Sequence, residues 1–91
     1  GGVPDAFRLE QNYPNPFNPA TTIQYTLPVA GHVTLTVSNL LGETVATIVD
    51  SGQPAGRSEV RFDASALPSG VYFYTIRSGA YVDTRRMLLL K

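Results

Sequence analysis

The sequence has no cysteine, no tryptophan and a single histidine, and only 15% of its residues are charged. Without cysteine there is neither a disulfide framework nor a thiolate zinc site, although exported domains also lack it, so the compartment stays open on this count. With one histidine there is no second nitrogen or sulfur ligand to complete a zinc or haem site. Seven Lys and Arg balance seven Asp and Glu, which leaves no overall field to draw in nucleic acid or anionic lipid. No apolar run approaches the roughly 20 residues that span a bilayer. The opening Gly1-Gly2-Val3-Pro4-Asp5 has neither the basic flank nor the apolar stretch of a signal peptide, so any export signal is expected elsewhere.

What is present suits one small domain. A chain of 91 residues encloses a single hydrophobic core. Residues 1–6 read as a linker remnant or cloning scar, and residues 7–91 as the folded module. The charge is unevenly spread: residues 1–45 carry one Arg against three acids, whereas the extreme C-terminus gathers Arg85, Arg86 and Lys91. The chain is expected to be a monomer.

Short apolar-alternating segments punctuated by turn residues predict an all-β sandwich of about seven antiparallel strands, immunoglobulin-like in kind. Phe7 to Gln11 forms a first edge strand. Asn12 to Pro19 follows, with three prolines that remove backbone donors and hold the chain extended. Ile23, Tyr25 and Leu27 alternate with Thr22, Gln24 and Thr26, and Val33, Leu35 and Val37 alternate with Thr34, Thr36 and Ser38. Joined by Pro28 to Gly31, these two strands are expected to form a hairpin. The next strand, Glu43 to Val49, turns either Val45 and Val49 or Ala46 and Ile48 inward. Asp50 to Gly56 and Asp63 to Gly70 read as irregular connections crossing between sheets, on either side of a strand from Arg57 to Phe62. Val71 to Arg77 is apolar on both faces, as a central strand would be, and Tyr81 to Leu90 closes the fold. Ile23, Tyr25, Leu27, Val33, Leu35, Val37, Phe62 and Ile76 are the expected core. Gly42 and Gly70 each close a turn and open a strand, where positive φ is expected.

A catalytic apparatus is not in view. His32 beside a turn glycine reads as a surface residue, and a serine nucleophile would lack a histidine base and a strained Gly-x-Ser-x-Gly elbow. Asp50, Asp63 and Asp83 lack the dense alternating-oxygen spacing of a calcium loop, and Asx-turns account for the first two. No glycine-rich phosphate loop leads into a helix. No cofactor is expected. The consecutive rings of Tyr72, Phe73 and Tyr74 force at least one to the face opposite the others, where it could stack on a sugar; the alternative is that both sides of this strand find cover.

The punctuation is more informative than the chemistry. Phe7-Arg8-Leu9-Glu10-Gln11-Asn12-Tyr13-Pro14-Asn15-Pro16-Phe17-Asn18-Pro19, then Asn39-Leu40-Leu41-Gly42, Leu67-Pro68-Ser69-Gly70-Val71-Tyr72-Phe73-Tyr74 and Arg86-Met87-Leu88-Leu89-Leu90-Lys91 together resemble the C-terminal sorting domain of type IX secretion cargo. The pattern is similar to the type A class, which is related to the immunoglobulin-like domain of flagellar hook-capping proteins. The resemblance implies a non-catalytic address label. Its attached N-terminal cargo domain would reach the periplasm by an ordinary signal peptide and then cross the outer membrane through the type IX machinery, in Bacteroidetes and neighbouring phyla. A sortase-like surface peptidase commonly removes the label and joins the cargo to anionic lipopolysaccharide, and some cargo is released or keeps it. By position, the resemblance assigns recognition to Pro14, Asn15, Pro16, Gly42, Gly70, Tyr72, Arg86, Met87 and Lys91. Two departures are Ser38, where the family often has an aromatic residue, and Arg86 in place of lysine, which keeps the charge but offers a planar fork.

On this reading the prolines make a stiff entrance with a cleavage site at or before it, and the last strand leaves a face or its free edge accessible for docking. A carbohydrate-binding module and a purely structural spacer of a secreted enzyme are the rival functions.

Overall fold

The computed structural model describes residues 6–91, so Gly1 to Asp5 of the expected linker lie outside the described residues. Seven strands follow one another: β1 (Arg8–Leu9), β2 (Ala20–Leu27), β3 (Gly31–Ser38), β4 (Thr44–Gln53), β5 (Gly56–Asp63), β6 (Gly70–Ser78) and β7 (Tyr81–Leu89). They build two antiparallel sheets, a three-stranded one in the order β1-β2-β5 and a four-stranded one in the order β4-β3-β6-β7.

The core lies between the sheets and is filled by the period-two faces of their strands. Ile23, Tyr25 and Leu27 of β2 and Phe62 of β5 meet Val33, Leu35 and Val37 of β3, Tyr72, Tyr74 and Ile76 of β6, and Met87 and Leu89 of β7. All eight residues expected in the core are buried. No buried side-chain nitrogen or oxygen among the described residues lacks a hydrogen-bond partner, as a tightly packed interior requires.

One pairing differs from expectation. The strands at 20–27 and 31–38 are not a hairpin: Pro28, Val29 and Ala30 carry the chain from one sheet to the other, and the two strands sit in different sheets. A strand with one apolar face shows the same alternation whether its neighbour lies beside it or across the core, so the pattern could not separate these arrangements. The real hairpins are β3–β4, turned by Asn39 to Glu43, and β6–β7, turned by Gly79 and Ala80. The connections after β4 and β5 do cross between sheets as expected, but the first is only Pro54 and Ala55, since β4 continues through Asp50 to Gln53.

The ambiguity on β4 has a physical origin. Its register against β3 shifts twice, between Leu35 and Thr36 and between Val37 and Ser38, so Ile48 and Val45 stand without a Cα partner. Each β-bulge reverses the face to which the following residues point. Val45, Ala46 and Ile48 therefore all pack partly against the core, with Val49 buried, and neither simple alternation holds.

Candidate recognition site

Between β1 and β2 the proline-rich segment turns back across the sandwich instead of leading away from it. Tyr13 bridges Thr22 of β2 through reciprocal backbone bonds of 3.0 and 2.9 Å. Asn12 is buried, and its amide donates to Thr21 Oγ1 at 3.0 Å and to the Pro14 carbonyl at 3.2 Å, while the Thr21 hydroxyl donates to the same carbonyl at 2.9 Å. The Tyr74 hydroxyl reaches this corner from the other sheet, donating to the Glu10 carbonyl at 2.7 Å and accepting from Asn12 N–H at 2.8 Å. Burial pushes the Tyr74 hydroxyl up to about 12, against an opposing pull from its bond to Asn12.

Past this corner the segment runs along β7. Gln11 Nε2 donates to the Arg86 carbonyl at 2.7 Å, and Asn15 Oδ1 accepts from Leu88 N–H at 2.9 Å. Phe17 N–H bonds the Leu88 carbonyl and Leu90 N–H bonds the Phe17 carbonyl, each at 3.0 Å, while the Phe17 ring sinks into the core. Arg85 Nε donates to the Leu9 carbonyl at 2.7 Å and ties β7 to β1. The expected stiff entrance is thus a strap that belongs to the sandwich. Proline suits it because a strap bonded on one side only has no use for every N–H. The expected free edge of the last strand is corrected as well: from Arg86 to Leu90 the strap covers it.

The nine residues assigned from the resemblance fall into clear places. Pro14, Asn15 and Pro16 lie exposed on the strap. Gly42, at φ +82°, completes the β3–β4 turn, where Asn39 Oδ1 accepts from Leu41 N–H and Glu43 N–H, both at 3.0 Å. Gly70, at φ +156°, opens β6 opposite Leu89. Tyr72 pairs with Met87, both side chains facing the core, and the Tyr72 hydroxyl donates to the Pro68 carbonyl at 2.7 Å. Arg86 is exposed opposite Phe73. Lys91 folds back: its backbone N–H donates to Ser69 Oγ at 2.9 Å and its ammonium to the Ser65 carbonyl. That ammonium is therefore engaged by the β5–β6 loop.

All of these elements meet at one end of the four-stranded sheet. The strap, the β3–β4 turn, the β5–β6 loop and the chain end at Lys91 are brought together there because β3, β6 and β7 are neighbours. Asn15, Pro16, Val71, Arg86 and Leu88 line one shallow depression on this end, and Leu40, Leu41, Gly70 and Val71 line another beside it. Sequence reasoning did not single out Leu40 and Leu41, which are 71% and 83% exposed. Their signal was available, because two adjacent leucines inside a turn bounded by Asn39 and Gly42 have no sheet face on which to hide.

Of the residues weighed for chemistry, His32 and Asp50 lie toward the opposite end of the four-stranded sheet, whereas Asp63 opens the β5–β6 loop. His32 stands on β3 and pairs with Asp50 at 2.6 Å on the surface. Asp63 accepts from the backbone and hydroxyl of Ser65, an Asx-turn that holds its carboxyl below the usual range. No cluster of metal-ligating side chains occurs among the described residues. Tyr72 and Tyr74 are buried and Phe73 is half-buried on the outer face, so the three consecutive rings do not form an exposed sugar platform.

The family described as secretion system C-terminal sorting domain matches residues 11–90. Among solved structures, the chain is similar to PorZ, described as an essential bacterial surface component of the type-IX secretion system of Porphyromonas gingivalis, with a TM-score of 0.61 and 17% identity. The similarity covers 96% of this chain and 12% of PorZ, so it speaks for the sandwich fold of a small part of that protein. No curated protein sequence matches the chain.

Proposed function

Since the chain belongs to the family of secretion system C-terminal sorting domains, we propose that it directs an attached N-terminal cargo across the outer membrane by the type IX route, with the strap-and-tail end of its four-stranded sheet as the part that is read. The observation that carries this is the convergence just described. Segments at 14–16, 39–42, 69–72 and 86–91, far apart in the chain, share one surface. On it, Leu40 and Leu41 are exposed on one side of Val71 and Arg86 on the other, with Leu90 exposed near the chain end, while Tyr72 and Met87 fix the underlying shape from within the core. An apolar patch with a cationic rim suits protein docking better than a small ligand.

Transit through the periplasm, delivery to the cell surface and removal by a sortase-like peptidase follow on this reading. The strap bears on where such a cut would fall. Cleavage between Gln11 and Pro19 would break the strap whose hydrogen bonds hold β2 and β7, whereas cleavage before Phe7, whose ring stacks on Tyr81, would leave the sandwich intact. The peptidase is therefore expected to act before Phe7.

The test is a periplasmic reporter fused ahead of this chain in a type IX-secreting bacterium. Delivery outside the cell should require both the domain and the type IX machinery. Delivery without either would refute the proposal. Retention of the reporter with both present, the domain being folded, would do the same.

A further inference from the structure

The sandwich is closed along one side and open along the other. On the closed side the strap covers β7 and Arg85 joins β7 to β1. On the open side, β4 and β5 are the unpaired outer strands of their sheets. β4 is interrupted by two register shifts, an ordinary way to spoil an edge for further pairing. β5 has no such defect: it pairs with β2 in unbroken register from Gly56 to Asp63.

The backbone polarity of β5 follows from its partner. On β2, the carbonyls of Thr22 and Gln24 face β1 and the strap, accepting from Tyr13 N–H and Glu10 N–H. Ile23 and Tyr25 thus bond to β5, and their partners Val60 and Ser58 spend their N–H and C=O inward. Ala64, of the same parity, donates to Pro19. The N–H and C=O of Arg57, Glu59 and Arg61 therefore point outward along an exposed edge. Their side chains, with that of Asp63, all stand on the outer face and are exposed. The ion pairs among the described residues are Arg8–Glu10 and His32–Asp50, so none of the four charges on β5 has one.

We infer that the outer edge of β5 is a homodimerisation edge, on which a second copy of this chain adds its own β5 antiparallel about a two-fold axis at Val60. In that register Glu59 of each copy faces Arg61 of the other, and Arg57 faces Asp63. Four opposite-charge pairs form at once, on residues whose free backbone groups also bond to one another. The order Arg57, Glu59, Arg61, Asp63 specifies this register against its neighbours. A shift by two residues one way sets Glu59 against Glu59 and Arg57 against Arg61; the other way sets Arg61 against Arg61 and Glu59 against Asp63. A shift by one residue places outward-facing backbone against inward-facing backbone and loses the bonds. The two three-stranded sheets would become one of six strands, with Val60 facing Val60 across the axis. The monomer expected from the sequence is on this account one half of a symmetric pair.

The experiment is sedimentation equilibrium of the 91-residue chain over a concentration series, joined to cysteine cross-linking. The mass should rise from 9.8 kDa toward twice that value, less readily in high salt. Glu59→Lys should abolish the rise, and the double change Glu59→Lys with Arg61→Glu should restore it, which shows that the single variant had not merely unfolded. Because the chain has no cysteine of its own, Val60→Cys should oxidise to a covalent dimer and Ser58→Cys should not. Facing residues of a non-hydrogen-bonded antiparallel pair have Cα atoms about 4.5 Å apart, within disulfide reach. A mass of 9.8 kDa throughout, a dimer indifferent to Glu59→Lys, or equal cross-linking at positions 58 and 60 would overturn the inference.

Discussion

The side chain of Asn15 accepts the backbone N–H of Leu88 at 2.9 Å, joining residues that are 73 positions apart. It stands where a neighbouring strand's carbonyl would otherwise sit, so the strap supplies to β7 part of what another strand would supply. Asn15→Ala should cost about 0.5–1.5 kcal/mol, the worth of one such bond. Amide exchange of Leu88 should quicken markedly, while Leu90, still bonded to the Phe17 carbonyl, keeps its protection. Equal loss at both amides would mean that the strap detaches as a unit and that Asn15 is its clasp.

Tyr74 ties the strap to the opposite sheet. Tyr74→Phe leaves the Asn12 N–H and the Glu10 carbonyl without their partner, and denaturant unfolding should show a loss of about 1–3 kcal/mol. The pH dependence has a defined sign. With its folded pKa raised from 10.0 to about 12, Tyr74 keeps its proton in the native state after the unfolded chain has released it. Its contribution is full below pH 10 and is lost as pH rises toward 12. Tyr81, also raised, adds in the same direction. Stability of the wild type should fall over that alkaline window, and Tyr74→Phe should flatten the fall. An equally steep loss in the variant would assign it to other groups.

Gly42 holds φ +82° with no atom within 4 Å of the position a Cβ would take. Gly42→Ala should therefore cost about 1–2 kcal/mol through backbone conformation alone. A thermal-unfolding comparison with Gly52→Ala, whose added Cβ also meets nothing and whose φ carries no such demand, isolates that term. Equal stability of the two variants would show that the turn relaxes without cost.

The core was legible because alternation survives in any sandwich: Ile23, Val33 and Ile76 had to point inward whichever strand lay beside them. Pairing was less legible, as β2 and β3 show, because a face pattern does not encode an edge. On β4 the bulges at Val45 and Ile48 hid the register by breaking the period itself. The candidate site divided in the same way. Its glycines and charged tail were visible as punctuation, whereas the strap was not, since prolines at 14, 16 and 19 describe an extended segment without saying where it lies. Asn12 was missed because a buried asparagine looks in sequence like any turn residue, and only its bonds to Thr21 and Pro14 reveal its place.

Surface delivery by domains altered at the shared end, yet still folded, shows whether the secretion machinery reads that end. Two variants suffice: Arg86→Gln with Lys91→Gln removes the cations, and Leu40→Ser with Leu41→Ser removes the apolar tip. Exposed changes of this kind should shift stability by no more than about 0.5 kcal/mol, with somewhat more at Lys91, whose ammonium bonds the Ser65 carbonyl. Each would be carried on the same reporter, with thermal unfolding of the isolated domain measured alongside the fraction of reporter outside the cell. Both variants should fold as the wild type does, and delivery should fall sharply in each. Wild-type delivery from both, with unfolding unchanged, would contradict this and place the sorting signal elsewhere on the sandwich.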